Sequence, residues 1–371
     1  MNTGHGPTDR PADYISGLID PSRIAMAREL RELTRQELAD RTDGAVSPST
    51  LGQIEKGHTA PSAATIEAVA TATGCPPEFF LRRPGDLPHP GFLRSTRSAP
   101  AKARRRQIAR ARLLHDLVQE MEEHLRLPET NLPLLEAPLG RRFDTEQAAE
   151  DLRAYWKVEP GPIPNVVRLL ERNGLVVVRV KTFVSDIDAF SVFFDDRPVI
   201  VLGSDKGVTA RSRFDAAHEL GHVLLHRNTS PEVPGVEDQA QEFAAAFLMP
   251  ASMIRNQLPR TADWSELMNL KARWRVSMQA LLRRALTLEV MSQKQYDNAR
   301  KAMSARGWLR DEPGDERLGA VESPVMLERA LEQLDLMGYP LERMAKEAAL
   351  PLYDLNEIRA RTTPERPALI I

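Results

Sequence analysis

Apolar residues recur every three or four positions along most of this chain, the spacing of amphipathic helices; short β-branched runs interrupt it only near the middle. From Pro21 to Phe80 the spacing predicts five short helices. The first covers Ser22 to Glu32, with Ile24, Ala27 and Leu30 inward. Thr34 caps a second, Arg35 to Thr42, whose Leu38 and Ala39 face the core. Ser47-Pro48 opens the third, because serine caps well and proline suits the first helical position; it carries Leu51 and Ile54 inward and ends at Lys56-Gly57. A fourth runs from Ser62 to Thr73, and Pro76 starts a short fifth.

Further along, helices are predicted near 145–157 and 163–173. Leu175 to Val180 reads as a strand, and Ala189 to Phe194 with Pro198 to Leu202 as a hairpin around Asp195-Asp196-Arg197. Val325 to Met337 and Leu341 to Ala349 are helical by spacing. Leu341 to Leu350 followed by Leu352 to Ile358 faintly echoes a second helix-turn-helix, and is read as a packing or dimerisation module. Pro84 to Pro90 reads as a hinge and Pro128 to Pro138 as a second linker. Between them, Arg94 to Arg112 concentrates cations, including Arg104-Arg105-Arg106, before an acidic amphipathic helix to about residue 126; this is a solvated face, a phosphate-contacting patch or a binding surface for an acidic partner. The resulting segmentation is a disordered arm (1–20), a helical domain (21–83), a linker with a basic amphipathic helix (84–138), an α+β domain (139–315) and a helical C-terminal module (316–371).

Composition narrows the classes. The chain has 371 residues, enough for two or three domains with real cores at 42% hydrophobic content. A net charge of −2 argues against wholesale coating of nucleic acid, so any DNA contact must come from local patches. The single cysteine, Cys75, excludes a disulfide framework or a cysteine-based zinc site and fits a reducing cytosol. No segment reads as a signal peptide or membrane span, so a cytoplasmic protein without a membrane partner is expected.

The candidate chemistry sits at His218-Glu219-Leu220-Gly221-His222. Histidines four apart project from one helical face about 6 Å apart in rise, close enough to share a metal ion. The adjacent Glu219 can then serve as general base toward a water that the ion polarises. A third ligand is needed. In Val236 to Pro250, the residues Ala240, Phe243, Ala244, Phe247 and Leu248 form one apolar stripe, and Glu237 precedes it by three positions. Glu237 is therefore the expected third ligand, projecting from the buried side. Gln241 is its expected hydrogen-bonding support, while Asp238 and Glu242 are solvated. His226 is one turn too far for the same ion, about 12 Å along the axis from His218, and is read as structural or near a substrate cleft.

The run Arg211 to His226 followed by Glu237 to Pro250 resembles the ImmA/IrrE metallopeptidase-like domain. Gly161-Pro162-Ile163, Asn173-Gly174, Asp188-Ala189-Phe190-Ser191, Pro198 to Leu202, Trp274-Arg275-Val276-Ser277 and Gly307-Trp308 extend the likeness over about residues 140 to 315. The resemblance implies zinc or manganese held by His218, His222 and Glu237, with Glu219 as base and repressor proteins as substrates. One departure is Gln241, where the family often carries Asn or Asp. In gluzincin-like enzymes an edge strand beside the metal helix binds extended peptide by backbone pairing.

Thr34 to Ala39, Leu51 to Gly57 and Pro61-Ser62 resemble the XRE helix-turn-helix family. That likeness implies that Ser47, Ser49, Thr50 and Gln53 face base edges, that Gln36 and Lys56 approach phosphate, and that a homodimer reads operator half-sites. The expected fold is mainly α with a small sheet: a five-helix helix-turn-helix domain, a zincin-like α+β domain and a helical C-terminal module. The expected function is a transcriptional regulator whose metallo-endopeptidase-like domain acts on, or senses, a regulatory protein, a peptide or a ligand, in repressor or toxin–antitoxin regulation. The alternative is a non-catalytic DNA-binding sensor with a structural or ligand-binding metal site; Glu219 is present in both.

Overall fold

The computed structural model describes residues 19–81, 92–93, 101–135, 144–180, 189–194, 197–203, 208–227, 229–230 and 233–362. The expected N-terminal arm up to residue 18, the Pro84–Pro90 hinge, Asp188 and the Asp195-Asp196 turn lie outside them. The helices are α1 Pro21–Leu30, α2 Arg35–Arg41, α3 Pro48–Glu55, α4 Ala63–Thr73, α5 Ala101–Glu122, α6 Thr145–Tyr155, α7 Val166–Arg172, α8 Thr209–Leu225 and α9 Val236–Leu248. They continue with α10 Ala251–Ile254, α11 Trp264–Trp274, α12 Met278–Thr287, α13 Gln293–Ala305, α14 Met326–Leu336, α15 Leu341–Glu347 and α16 Leu352–Thr362. The strands are β1 Phe92–Leu93, β2 Val176–Val180, β3 Ala189–Val192 and β4 Val199–Gly203. Mainly helical with one small sheet, the architecture is the expected class.

Two compact units emerge: residues 1–86, 100–125 and 330–360 form one, and 87–99, 126–329 and 361–371 the other. In the first, α1 to α4 begin where the caps require. Asp20, Thr34, Ser47 and Ser62 each accept a backbone N–H of the following first turn, and Thr34 with Glu37 completes a capping box. The fifth expected helix is a single 3-10 turn, Pro77–Leu81, which buries Phe79 and Phe80. Helix α5, expected within a linker, is a core element of this unit. Its Leu113, Leu114, Leu117 and Val118 are buried, and its Asp116 takes a bidentate pair from Arg23 of α1 at 2.5 and 2.9 Å. Residues 330–360 join the same unit rather than standing alone: Arg31 of α1 binds Asp354 of α16 bidentately (2.7 and 2.9 Å), and Arg110 of α5 binds Glu357 at 2.6 Å. A helix with one apolar stripe must bury it somewhere, and α5 packs against α1 on one side and α15 on another.

In the second unit the sheet order is β1-β3-β4-β2, with β3 antiparallel to both neighbours and β2 parallel to β4. The β3–β4 pairing is the expected hairpin and β2 is the strand expected at Leu175 to Val180; all five of its residues are buried, which suits its parallel pairing with β4. Helix α8 packs on β3 and β4, α9 packs on α8, and α6 backs α9. Helix α7 starts three residues later than expected, at the Asn165 cap, because Pro164 holds the preceding chain extended. The second expected linker is tied down as far as it is described. Asn131 N–H donates to Asn173 O at 3.0 Å, Trp156 Nε1 donates to Asn131 O at 2.7 Å, and Arg197 donates to Pro128 O at 2.8 Å.

Candidate metal centre and DNA-contacting surface

Helix α8 is buried on nearly every side, which is what lets it carry polar chemistry into the core. Its register is fixed at one end by Arg213, whose guanidinium bonds the Glu322 carboxylate and, at 2.7 Å, the Ile163 carbonyl. One face of the following turns presents His218, Glu219 and His222, all within 1% of full burial. Their partner α9 lies unusually close. At Gly221 an added Cβ would stand 3.0 Å from Phe243 Cδ1, 3.2 Å from Ala240 Cα and 3.3 Å from Ala240 O. The far end of α9 is held by Arg153 and Arg284, which donate to the carbonyls of Phe247 and Met249, each at 2.9 Å.

This packing brings His218, His222 and Glu237 together, with one ligand atom from each within 4.8 Å of the others. The Nε2 atoms of the two histidines are 3.0 Å apart, and Glu237 oxygens lie 3.3 Å from His218 and 3.4 Å from His222. A tetrahedral ion about 2.0–2.1 Å from such donors would set them roughly 3.3 Å apart. Two imidazoles and a carboxylate are also the donor chemistry of zinc. The residues fit a metal ion.

Glu237 arrives differently from the sequence expectation. Its side chain is 53% exposed, so it does not project from the buried stripe; it sits in the first turn of α9, after Gly235, and reaches the imidazoles from the helix end. Partial burial opposes its ionisation, but the hydrogen bonds and positive character of His218 and His222 outweigh that and hold its pKa well below the usual carboxylate range. Gln241 lies on the exposed surface of α9, whereas Gln239 hydrogen-bonds His226. The apolar stripe from Ala240 to Leu248 is buried as the spacing predicted.

His226 stands behind His222, its Nδ1 3.1 Å from that of His222. Burial, then the neighbouring His222, push its pKa down to about 3, so it is neutral. A neutral imidazole here can accept the Nδ1–H of His222, the tautomer that leaves the His222 Nε2 lone pair available to a metal ion. Glu219 is oriented from the sheet: Ser191 Oγ donates to its Oε2 at 2.8 Å, with both groups fully buried. Residue spacing could not assign Ser191 this part, 28 positions away. The available signal was a lone hydroxyl in the apolar strand Ala189-Phe190-Ser191-Val192.

In the other unit Gln36, Ser47, Ser49, Thr50, Gln53 and Lys56 are all exposed, except that Ser47 spends its hydroxyl on the α3 cap and on Thr50 Oγ1 at 2.8 Å. Gln53 Oε1 meets His58 Nδ1 at 3.1 Å, and Gln36 Nε2 donates to Asp40 at 2.8 Å. A cavity of about 360 Å³ beside the start of α2 is lined by Arg35, Gln36, Lys102 and Arg105 among others, so α5 adds cations next to the expected phosphate contact. Lys102 meanwhile pairs with Glu37 at 2.7 Å, which draws that carboxyl down to about 2.

A short-capped helical unit with an exposed third helix, beside an α+β unit with paired histidines on a buried helix, defines a DNA-binding regulator carrying a metallopeptidase-like domain. Comparison with protein families agrees: residues 24–80 match the helix-turn-helix family and residues 170–286 match the IrrE N-terminal-like domain of the M78 peptidases. The chain is an XRE-type helix-turn-helix joined to an ImmA/IrrE-like domain. No curated protein matches it. Among the described residues no helix is long and apolar enough to cross a membrane.

Proposed function

We propose that the protein is a cytoplasmic transcriptional regulator that binds operator DNA as a homodimer and hydrolyses a peptide bond in an exposed segment of a partner regulatory protein, of the repressor or toxin–antitoxin kind. The observation that carries the catalytic half is the buried Glu219, held by Ser191, next to the His218–His222–Glu237 cluster. A glutamate with no catalytic use would be costly to bury beside two imidazoles.

His218, His222 and Glu237 would hold zinc, with manganese as the second candidate. Such an ion would supply Lewis acidity toward the substrate carbonyl and would make a water more acidic. Glu219 takes a proton from the attacking water and delivers it to the departing amine nitrogen. Ser191 fixes the Glu219 carboxylate by occupying one oxygen, and His226 fixes the tautomer of His222. In the DNA-binding unit, Ser49, Thr50 and Gln53 read base edges, Ser47 frames the start of α3, and Gln36 and Lys56 meet phosphate.

The test is metal content with proteolysis. The purified chain should carry about one zinc, lose it in His222→Ala and Glu237→Ala, and keep it in Glu219→Gln while losing any cleavage. Stoichiometric metal in His222→Ala refutes the ligand set. Broad digestion of unfolded casein refutes the regulator reading, whereas intact repressors with a metal-loaded site favour the sensor.

A further inference from the structure

The sheet of the metallopeptidase-like unit has one edge at β3, beside the metal helix, and that edge is taken by β1. Phe92 lies opposite Ser191 and Leu93 opposite Phe190, antiparallel. Opposed residues in such a ladder stand roughly 5 Å apart at Cα, and Ser191 is the residue whose hydroxyl reaches Glu219. A strand in this position therefore runs past the proton-transferring carboxylate, where backbone pairing would seat an extended substrate.

We propose that β1 is a tethered occupant of the peptide-binding edge, a segment of this chain that competes with substrate for the metal centre; the proposal rests on the metallopeptidase reading above. Two features suit it to that role. Among the described residues the pairing comprises Phe92 and Leu93, and a longer peptide would exchange that ladder for a more extensive one. Phe92 and Leu93 also group with the metal-bearing unit, while Leu81 before them and Ala101 after them belong to the helix-turn-helix unit. The strand is thus continuous in sequence, on both sides, with the DNA-binding half.

The test uses the full-length chain in the Glu219→Gln background, zinc-loaded, with a fluorescein-labelled peptide of this chain's residues 88–98 as probe and anisotropy as readout. A second protein carries Phe92→Pro and Leu93→Pro as well, which removes the backbone donors of β1. A tether at an effective concentration of about 1 mM, facing a peptide of intrinsic Kd about 0.1 mM, weakens binding about tenfold, so the proline variant should bind the probe about tenfold more tightly. A variant with Phe92→Gly and Leu93→Gly keeps the donors, loosens the strand, and should fall between. Equal affinity in all three proteins, or no binding to any, overturns the proposal. Zinc measured in the same samples separates the two failures. Equal affinity with full zinc removes the tethered strand and leaves the metal centre standing; absent zinc removes the metallopeptidase reading and the proposal with it.

Discussion

Gly221→Ala probes the contact on which the metal centre depends. In an unpacked helix this change should stabilise by about 1 kcal/mol, because glycine is the poorer helix former. Here the new methyl would meet Phe243 Cδ1 at 3.0 Å and Ala240 Cα and O at 3.2 and 3.3 Å. The phenyl ring can shift, but the two Ala240 atoms are backbone, so α9 itself must retreat by a few tenths of an ångström. Overpacking of this kind costs about 1–3 kcal/mol, which exceeds the helical gain and leaves up to about 2 kcal/mol of net destabilisation. Glu237 lies one turn before Ala240 on the same helix and retreats with it, while His218 and His222 stay on α8. A displaced ligand should weaken metal binding about tenfold, and the metal-dependent part of stability then falls by about 1.4 kcal/mol at saturating ion. Thermal unfolding in chelator isolates the packing term; a chelator-competition titration isolates the affinity. A higher Tm in chelator with unchanged metal affinity refutes the reasoning, since it would mean that α9 yields freely.

Three further outcomes are expected. Asp116→Ala removes the bidentate carboxylate partner of the buried Arg23 guanidinium and should destabilise the helix-turn-helix unit by about 3–5 kcal/mol in urea unfolding, with Arg23→Met added to it recovering much of the loss; additive losses would contradict this. Gln53→Ala should cost about 1–3 kcal/mol on operator DNA and far less on random DNA, and equal losses on both would remove Gln53 from base reading. Lys102→Ala with Arg105→Ala should flatten the dependence of log K on log salt by up to about 1.8, on both operator and random DNA, if α5 lies along the phosphates; an unchanged slope shows that the cations beside α2 serve only Glu37 and its neighbours.

Within one or two turns of helix, the sequence was sufficient. The four-residue spacing of His218 and His222, the apolar stripe of α9, and the caps at Thr34 and Ser47 all follow from 3.6-residue geometry and from side chains satisfying N–H groups a few atoms away. The β3–β4 hairpin was legible for the same reason of nearness. Everything that depended on the chain returning to itself was decided by tertiary packing. Asp354 meets Arg31 across 323 positions and Asp116 meets Arg23 across 93, so α5 and the C-terminal helices belong with the helix-turn-helix although their local pattern reads as linker and separate module. Glu237 reaches the imidazoles from an exposed first turn because Gly221 lets two helices close on each other, and Ser191 finds Glu219 because α8 lies on β3. Periodicity records which face of an element is apolar; it carries no information about which distant element covers that face, and the chemistry of this site lies in the covering.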